Sequence, residues 1–181
     1  MPWDYSIYPE LTKTQEHVFG VIGETIYMIQ IAEHAIQNCM IFVFEQPDFL
    51  IENFYAVEQR ERKKTLGYII TTLRSKAEIH PQFDGMLTAF VDKRNFFIHN
   101  LFNDKEYGLS TDEQCKKTES YLSDLQDYAW NIMNVFLSVL IEWSKTSGVS
   151  EHIGTLYKNP HLAQVEQKPF HLLIKTRDKN K

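Results

Sequence analysis

TKTQEHVFGVIGETIYMIQIAEHAIQNCMIFVF, residues 12–44, is the stretch whose reading decides the fold. Its apolar residues recur at helical spacing rather than alternating. Ile22, Ile26, Ile29, Ile36 and Met40 make one stripe, and Tyr27, Ile31, Ala35, Cys39 and Phe42 make another. The spacing predicts one long helix from near Thr12 to about Phe44, ending before Pro47, and apolar nearly all round. Such a helix is central to its domain or shared with a partner chain. Glu33 interrupts the first stripe where the period asks for a hydrophobe. A buried carboxylate is costly unless it is paired, so Glu33 either reaches solvent at the helix edge, bonds a buried tyrosine, or orients a cation from another helix.

The cation that suits this last role lies in DKRNFFIHNLFND, residues 92–104. Here Arg94, Asn95 and His99 stand among Phe90, Val91, Phe96, Phe97, Ile98, Leu101 and Phe102. On a helix Asn95, His99 and Asn103 share one face, extended backwards by Asp92 and Thr88. Arg94 is turned about 100° from Asn95, and its long side chain can swing towards the histidine. The expectation is a guanidinium, an imidazole and an amide meeting at one point.

An arginine and a histidine separated by four residues, with a polar residue directly after the arginine, resembles the signature of HEPN domains, which are compact helical-bundle modules. The resemblance covers RNFFIH at 94–99 and implies a metal-independent endoribonuclease or RNA-binding protein of bacterial toxin or phage-defence character. It implies Arg94, His99 and Asn95 as the catalytic group; the apolar stripe around Glu33 and the polar stripe through Asn103 place these two in support. The implied partners are single-stranded RNA, a second copy of the chain placing two motifs face to face, and an antitoxin or defence protein. In the toxin branch silenced by nucleotidylation a tyrosine follows the histidine by two residues. Leu101 stands there in this chain, a departure that removes the acceptor for that form of control.

The rest of the chain reads as helices with short connections. Residues 1–10 form an N-terminal arm with Trp3, Tyr5 and Tyr8, and a short helix is expected at 48–57. EQRERKK at 58–64 supplies Arg60, Arg62, Lys63 and Lys64, a candidate RNA-backbone contact or simply a solvated face. A helix is expected over 65–79, stopped by His80 and Pro81, and the next carries the motif to about Phe102. Thr111 with Gln114 predicts a capping box opening a long helix to about Ser147. The fold class is therefore all-α: an up-and-down bundle of four to five main helices spanning 11–148. Residues 149–181 are an extension packing on it, with a weak strand pattern near 170–174 and a basic tail.

A chain of 181 residues with 43% hydrophobic and 13% aromatic content suffices for one domain with a packed core. The formal net charge of −5 argues against wrapping duplex nucleic acid by bulk positive charge, while leaving room for a local basic patch. Gln30, Glu33, His34, Gln37 and Asn38 break the longest apolar stretch, so no membrane span is expected. The N-terminus lacks signal-peptide features, and Cys39 and Cys115 lack metal-ligand spacing, so a cytoplasmic protein with reduced thiols is expected. The seven histidines show no zinc-helix spacing, and there is no phosphate loop, so neither a metal nor another cofactor is expected.

The chemistry fits the residues. RNA is cut without a metal when its own 2′-hydroxyl attacks the adjacent phosphate. That reaction needs a proton carrier near neutral pH, which suits histidine, and a fixed cation for the phosphorane, which suits arginine. The alternative is a non-catalytic helical dimerisation or interaction protein in which Arg94 and His99 are structural. A nucleotide pocket using the same polar stripe with the tyrosines ranks below both.

Overall fold

A computed structural model describes residues 10–45, 64–147, 165 and 170–176. The short helix expected at 48–57, Arg60, Arg62, Lys63, all of the N-terminal arm but Glu10, and the C-terminal extension but for 165 and 170–176, its basic tail included, lie outside the described residues.

Four α-helices build an all-α bundle: α1 (Lys13–Cys39), α2 (Leu66–Lys76), α3 (Pro81–His99) and α4 (Asp112–Thr146). Helix α1 starts where Thr12 accepts from the Gln15 amide and the Gln15 side chain returns a bond to the Thr12 amide, a complete capping box. At its other end the helix continues as a π-helical segment, Met40–Glu45. Lys76 donates to the Phe44 carbonyl there, at 3.5 Å. Thr111 caps α4 by accepting from the Gln114 amide. The box expected there is only half made, because the Gln114 side chain turns instead to the Lys105 carbonyl.

Cross-links fix the directions of the helices. His17 meets Glu119, Gln126 donates to Thr25 and Cys39 donates to the Phe136 carbonyl, so α1 and α4 run parallel. Helix α3 runs back between their two ends. Glu33, late in α1, meets Arg94, whereas Gln15, early in α1, donates to the Leu109 carbonyl beyond the end of α3. Up, down and up, the three long helices enclose Ile36, Met40, Leu87, Phe90, Leu122, Leu125 and Phe136, all fully buried. Helix α2 closes the end of the bundle where α3 begins, with Leu73 fully buried and Arg74 bonded to Asp84.

Several stretches differ from the sequence reading. Over Phe170–Leu173, where a weak strand pattern is read, the chain forms a 3-10 turn, and the strand falls at Ile174–Thr176. Residues Ala77–Ile79 are a strand, β1, paired antiparallel with β2 (Ile174–Thr176), rather than the last turn of a helix. The helical period of Leu66, Ile69, Ile70 and Leu73 carries on to Ala77, but strand hydrogen bonds from a distant segment take the backbone over. Helix α1 is also less uniformly covered than its composition suggests. Val18, Thr25, Ile29, Ala32, Ile36 and Cys39 are buried, while Phe19, Ile26 and Tyr27 are exposed. Among the described residues no helix is long and apolar enough to cross a membrane.

Candidate functional site

Helix α3 is held from two sides by adjacent cations. Lys93 points to α4, where Nζ lies 2.6 Å from Asp124 Oδ2 and over the rings of Tyr121 and Tyr128. Arg94, turned about 100° further round the helix, points to α1. Its Nε donates to Glu33 Oε1 at 2.9 Å, and its Nη1 donates to Asn95 Oδ1 at 3.2 Å. The pair is partly sheltered, with 26% of the Arg94 side chain and 21% of Glu33 exposed. Two bonds at different nitrogens fix the guanidinium plane. Of the partners open to Glu33 in the sequence, Arg94 is the one it takes.

Asn95 and His99 are exposed on the same side of α3, with Thr88 and Asp92 behind them. Asn103 is exposed too, and its amide donates to the His99 carbonyl rather than to the ring. Two of the three groups expected at one point are therefore in contact, Arg94 and Asn95. The imidazole stands one turn beyond Asn95, and among the described residues it takes no hydrogen bond or ion pair. Helix α3 ends at His99, earlier than the apolar pattern suggests. The backbone leaves helical geometry at Asn100, and Leu101–Asn103 form a 3-10 turn.

An apolar surface adjoins this group. Ile26 and Phe19 lie one and two heptads before Glu33 on α1, and Ile98 lies four residues after Arg94 on α3, so all three flank the seam that the ion pair bridges. Phe19 is 47% exposed, Ile26 40% and Ile98 47%, with Phe102 at 53% just past the helix end. The sequence reading assigned Ile26, Ile98 and Phe102 to apolar faces and passed over Phe19. A signal was available for Phe102, which is the first aromatic after the polar break His99-Asn100.

On the other side of α3 the rings of Phe96, Tyr107 and Tyr121 contact one another at 5.4–5.7 Å. Burial, with Tyr107 and Asp124 adding to it, pushes the Tyr121 phenol up to about 12, and the phenol donates to the Lys93 carbonyl at 2.7 Å. This cluster anchors α3 to α4. Of the basic run only Lys64 is described, its Nζ lying over the Tyr68 ring. Among the described residues no group of three or more His, Cys, Asp or Glu side chains is placed to hold a metal ion. Cys39 and Cys115 are free thiols, both buried.

No protein-family model matches the chain, and no curated protein or solved structure matches it either.

Proposed function

We propose that this chain is a HEPN-like, metal-independent endoribonuclease or RNA-binding protein acting on single-stranded RNA as a homodimer, in a toxin or phage-defence setting. The observation that carries the reading is Arg94, fixed by Glu33 and Asn95 on the surface where the His99 imidazole is open to solvent. Nε is occupied by Glu33 and one N–H of Nη1 by Asn95, which leaves Nη2 and the second N–H of Nη1 to meet phosphate oxygens. In the reaction an imidazole removes the proton from the 2′-hydroxyl, O2′ bonds to phosphorus, and the bond from phosphorus to O5′ breaks. Arg94 stabilises the charge on the phosphorane oxygens, and O5′ leaves with a proton from an imidazolium or water. The second copy covers Phe19, Ile26 and Ile98 and supplies the second imidazole.

A second reading is favoured by the ion pair itself. A sheltered Arg–Glu bridge between two helices is also what a purely structural arginine makes, and the apolar surface beside it suits a partner helix. Incubating end-labelled, mixed-sequence single-stranded RNA with wild type, Arg94→Ala and His99→Ala in EDTA separates the two. The ribonuclease reading expects cutting by wild type alone, with both variants folded by circular dichroism. A wild type that neither cuts nor shifts RNA in a gel moves the assignment to the interaction protein.

A further inference from the structure

Three features outside the catalytic group invite a use. The Lys93 cage of Tyr121, Tyr128 and Asp124 is filled by its own lysine, and the buried Asn134 Oδ1 accepts no hydrogen bond from the described residues but lines no described site. The third is the turn after α3. There Asn100 breaks the helix, with φ −130 and ψ −20, and Phe102 is presented with 53% of its surface open. The Asn103 amide and the Asn103 and Asp104 backbone amides bond back onto His99 and Asn100, so the turn that carries Phe102 is held against the end of the motif helix. The Asn100 side chain is exposed beside it.

We propose that Phe102 is a stacking platform for an unpaired base next to the phosphate bound at Arg94 and His99, with the Asn100 amide facing that base's edge. The inference rests on the RNA reading above and deepens it. Three observations favour a base over an apolar protein side chain. The exposed ring lies three residues from the imidazole, on a turn whose backbone is pinned. The exposed residues nearest it in the chain, Asn100 and Asn103, are amides, which hydrogen-bond the edges of bases. Arg94, in the helix that leads into this turn, is a cation held in place by Glu33 and Asn95. Single-stranded recognition works by this combination, an aromatic face for the base and a cation for the backbone. Phe102 is a positioning residue in this scheme and takes no part in the proton transfers.

The test is the affinity of the non-cleaving His99→Ala protein for a fluorescein-labelled single-stranded RNA octamer, read by anisotropy, and for the same octamer with abasic sites. Into this background go Phe102→Ala, Phe102→Leu and Phe102→Tyr; the residue is exposed, so the fold should tolerate all three. Stacking on one ring predicts about 5- to 100-fold weaker binding for both Ala and Leu, near-parent binding for Tyr, and sensitivity to abasic sites that disappears in the Ala variant. Leucine is the discriminating change, because it keeps apolar area and loses the π face. Equal affinity for all variants would overturn the inference, and wild-type cleavage in EDTA would then leave the ribonuclease reading standing. If Phe102→Ala turns a dimer into a monomer in sedimentation and Leu restores it, the ring belongs to the interface between copies and the inference fails. Absence of any RNA binding by the His99→Ala protein, with no wild-type cleavage, would overturn inference and reading together.

Discussion

Arg94 makes two demands on its side chain at once, one towards Glu33 and one towards Asn95, and only a guanidinium meets both. Arg94→Lys keeps a cation for Glu33, so we expect the denaturant midpoint to move by less than ~1 kcal/mol equivalent, while RNA cleavage falls to the level of Arg94→Ala. Glu33→Ala should do the reverse in part: it frees the guanidinium and costs about 1–3 kcal/mol, because a partly buried cation loses its partner. Chemical denaturation of both variants checks the pair. Tyr121 gives a pH test that needs no RNA. Its folded-state pKa of about 12 lies above the ordinary 10.0, so the native chain holds that proton more tightly than the unfolded one. The corresponding stability is complete below about pH 10 and is lost as pH rises towards 12. An ultraviolet phenolate titration should show a late-titrating tyrosine that is absent in Tyr121→Phe. Cys39 is fully buried, which raises its thiol well above the usual value, and it should resist alkylation until the chain unfolds.

Among the elements, α1 depends on Gln15 more than a cap residue usually allows. Its Oε1 accepts from the Thr12 amide and its Nε2 donates to the Leu109 carbonyl, both at 2.8 Å, so one side chain closes the capping box and ties the loop before α4 to the bundle. Gln15→Glu keeps a residue suited to the box but sets a carboxylate against a carbonyl. It should destabilise by about 1–2 kcal/mol, more than box chemistry alone would suggest, as read from the denaturant midpoint. What the sequence revealed follows from how local each signal is. The start of α1 at Thr12, Pro81 at the first turn of α3 and the end of α4 at Ser147 are written in neighbouring residues, and the boundaries fall there. The strand Ala77–Ile79 was hidden because its partner, Ile174–Thr176, is distant in sequence and three residues carry too little pattern. The π-helical turns at Met40–Glu45 were hidden because apolar spacing over six residues does not tell α from π. At the site, Glu33 in an apolar stripe pointed to Arg94 through the cost of an unpaired charge. The separation of the imidazole from the guanidinium could not be read, because it depends on which way Arg94 swings once α1 packs beside it.

At the scale of the whole molecule, the Arg94–Glu33 pair bridges a seam between α1 and α3 whose flanking residues include an exposed imidazole and exposed apolar side chains. The same seam serves RNA chemistry and pairing of copies in our proposal. Ile26→Asp should therefore convert a dimer to a monomer in sedimentation equilibrium and lower cleavage without unfolding the chain, since Ile26 is 40% exposed. With Arg94 the cation this site offers to a phosphate, affinity for single-stranded RNA should fall only gently with added salt. The most direct measurement is the chemistry of the ends that wild type leaves on single-stranded RNA in EDTA, by mass spectrometry of the fragments. Attack by the 2′-hydroxyl, assisted by Arg94 and His99, predicts 2′,3′-cyclic phosphate on one fragment and 5′-hydroxyl on the other, both absent from digests with folded Arg94→Ala or His99→Ala. Intact RNA with wild type, or 3′-hydroxyl and 5′-phosphate ends, would contradict the account.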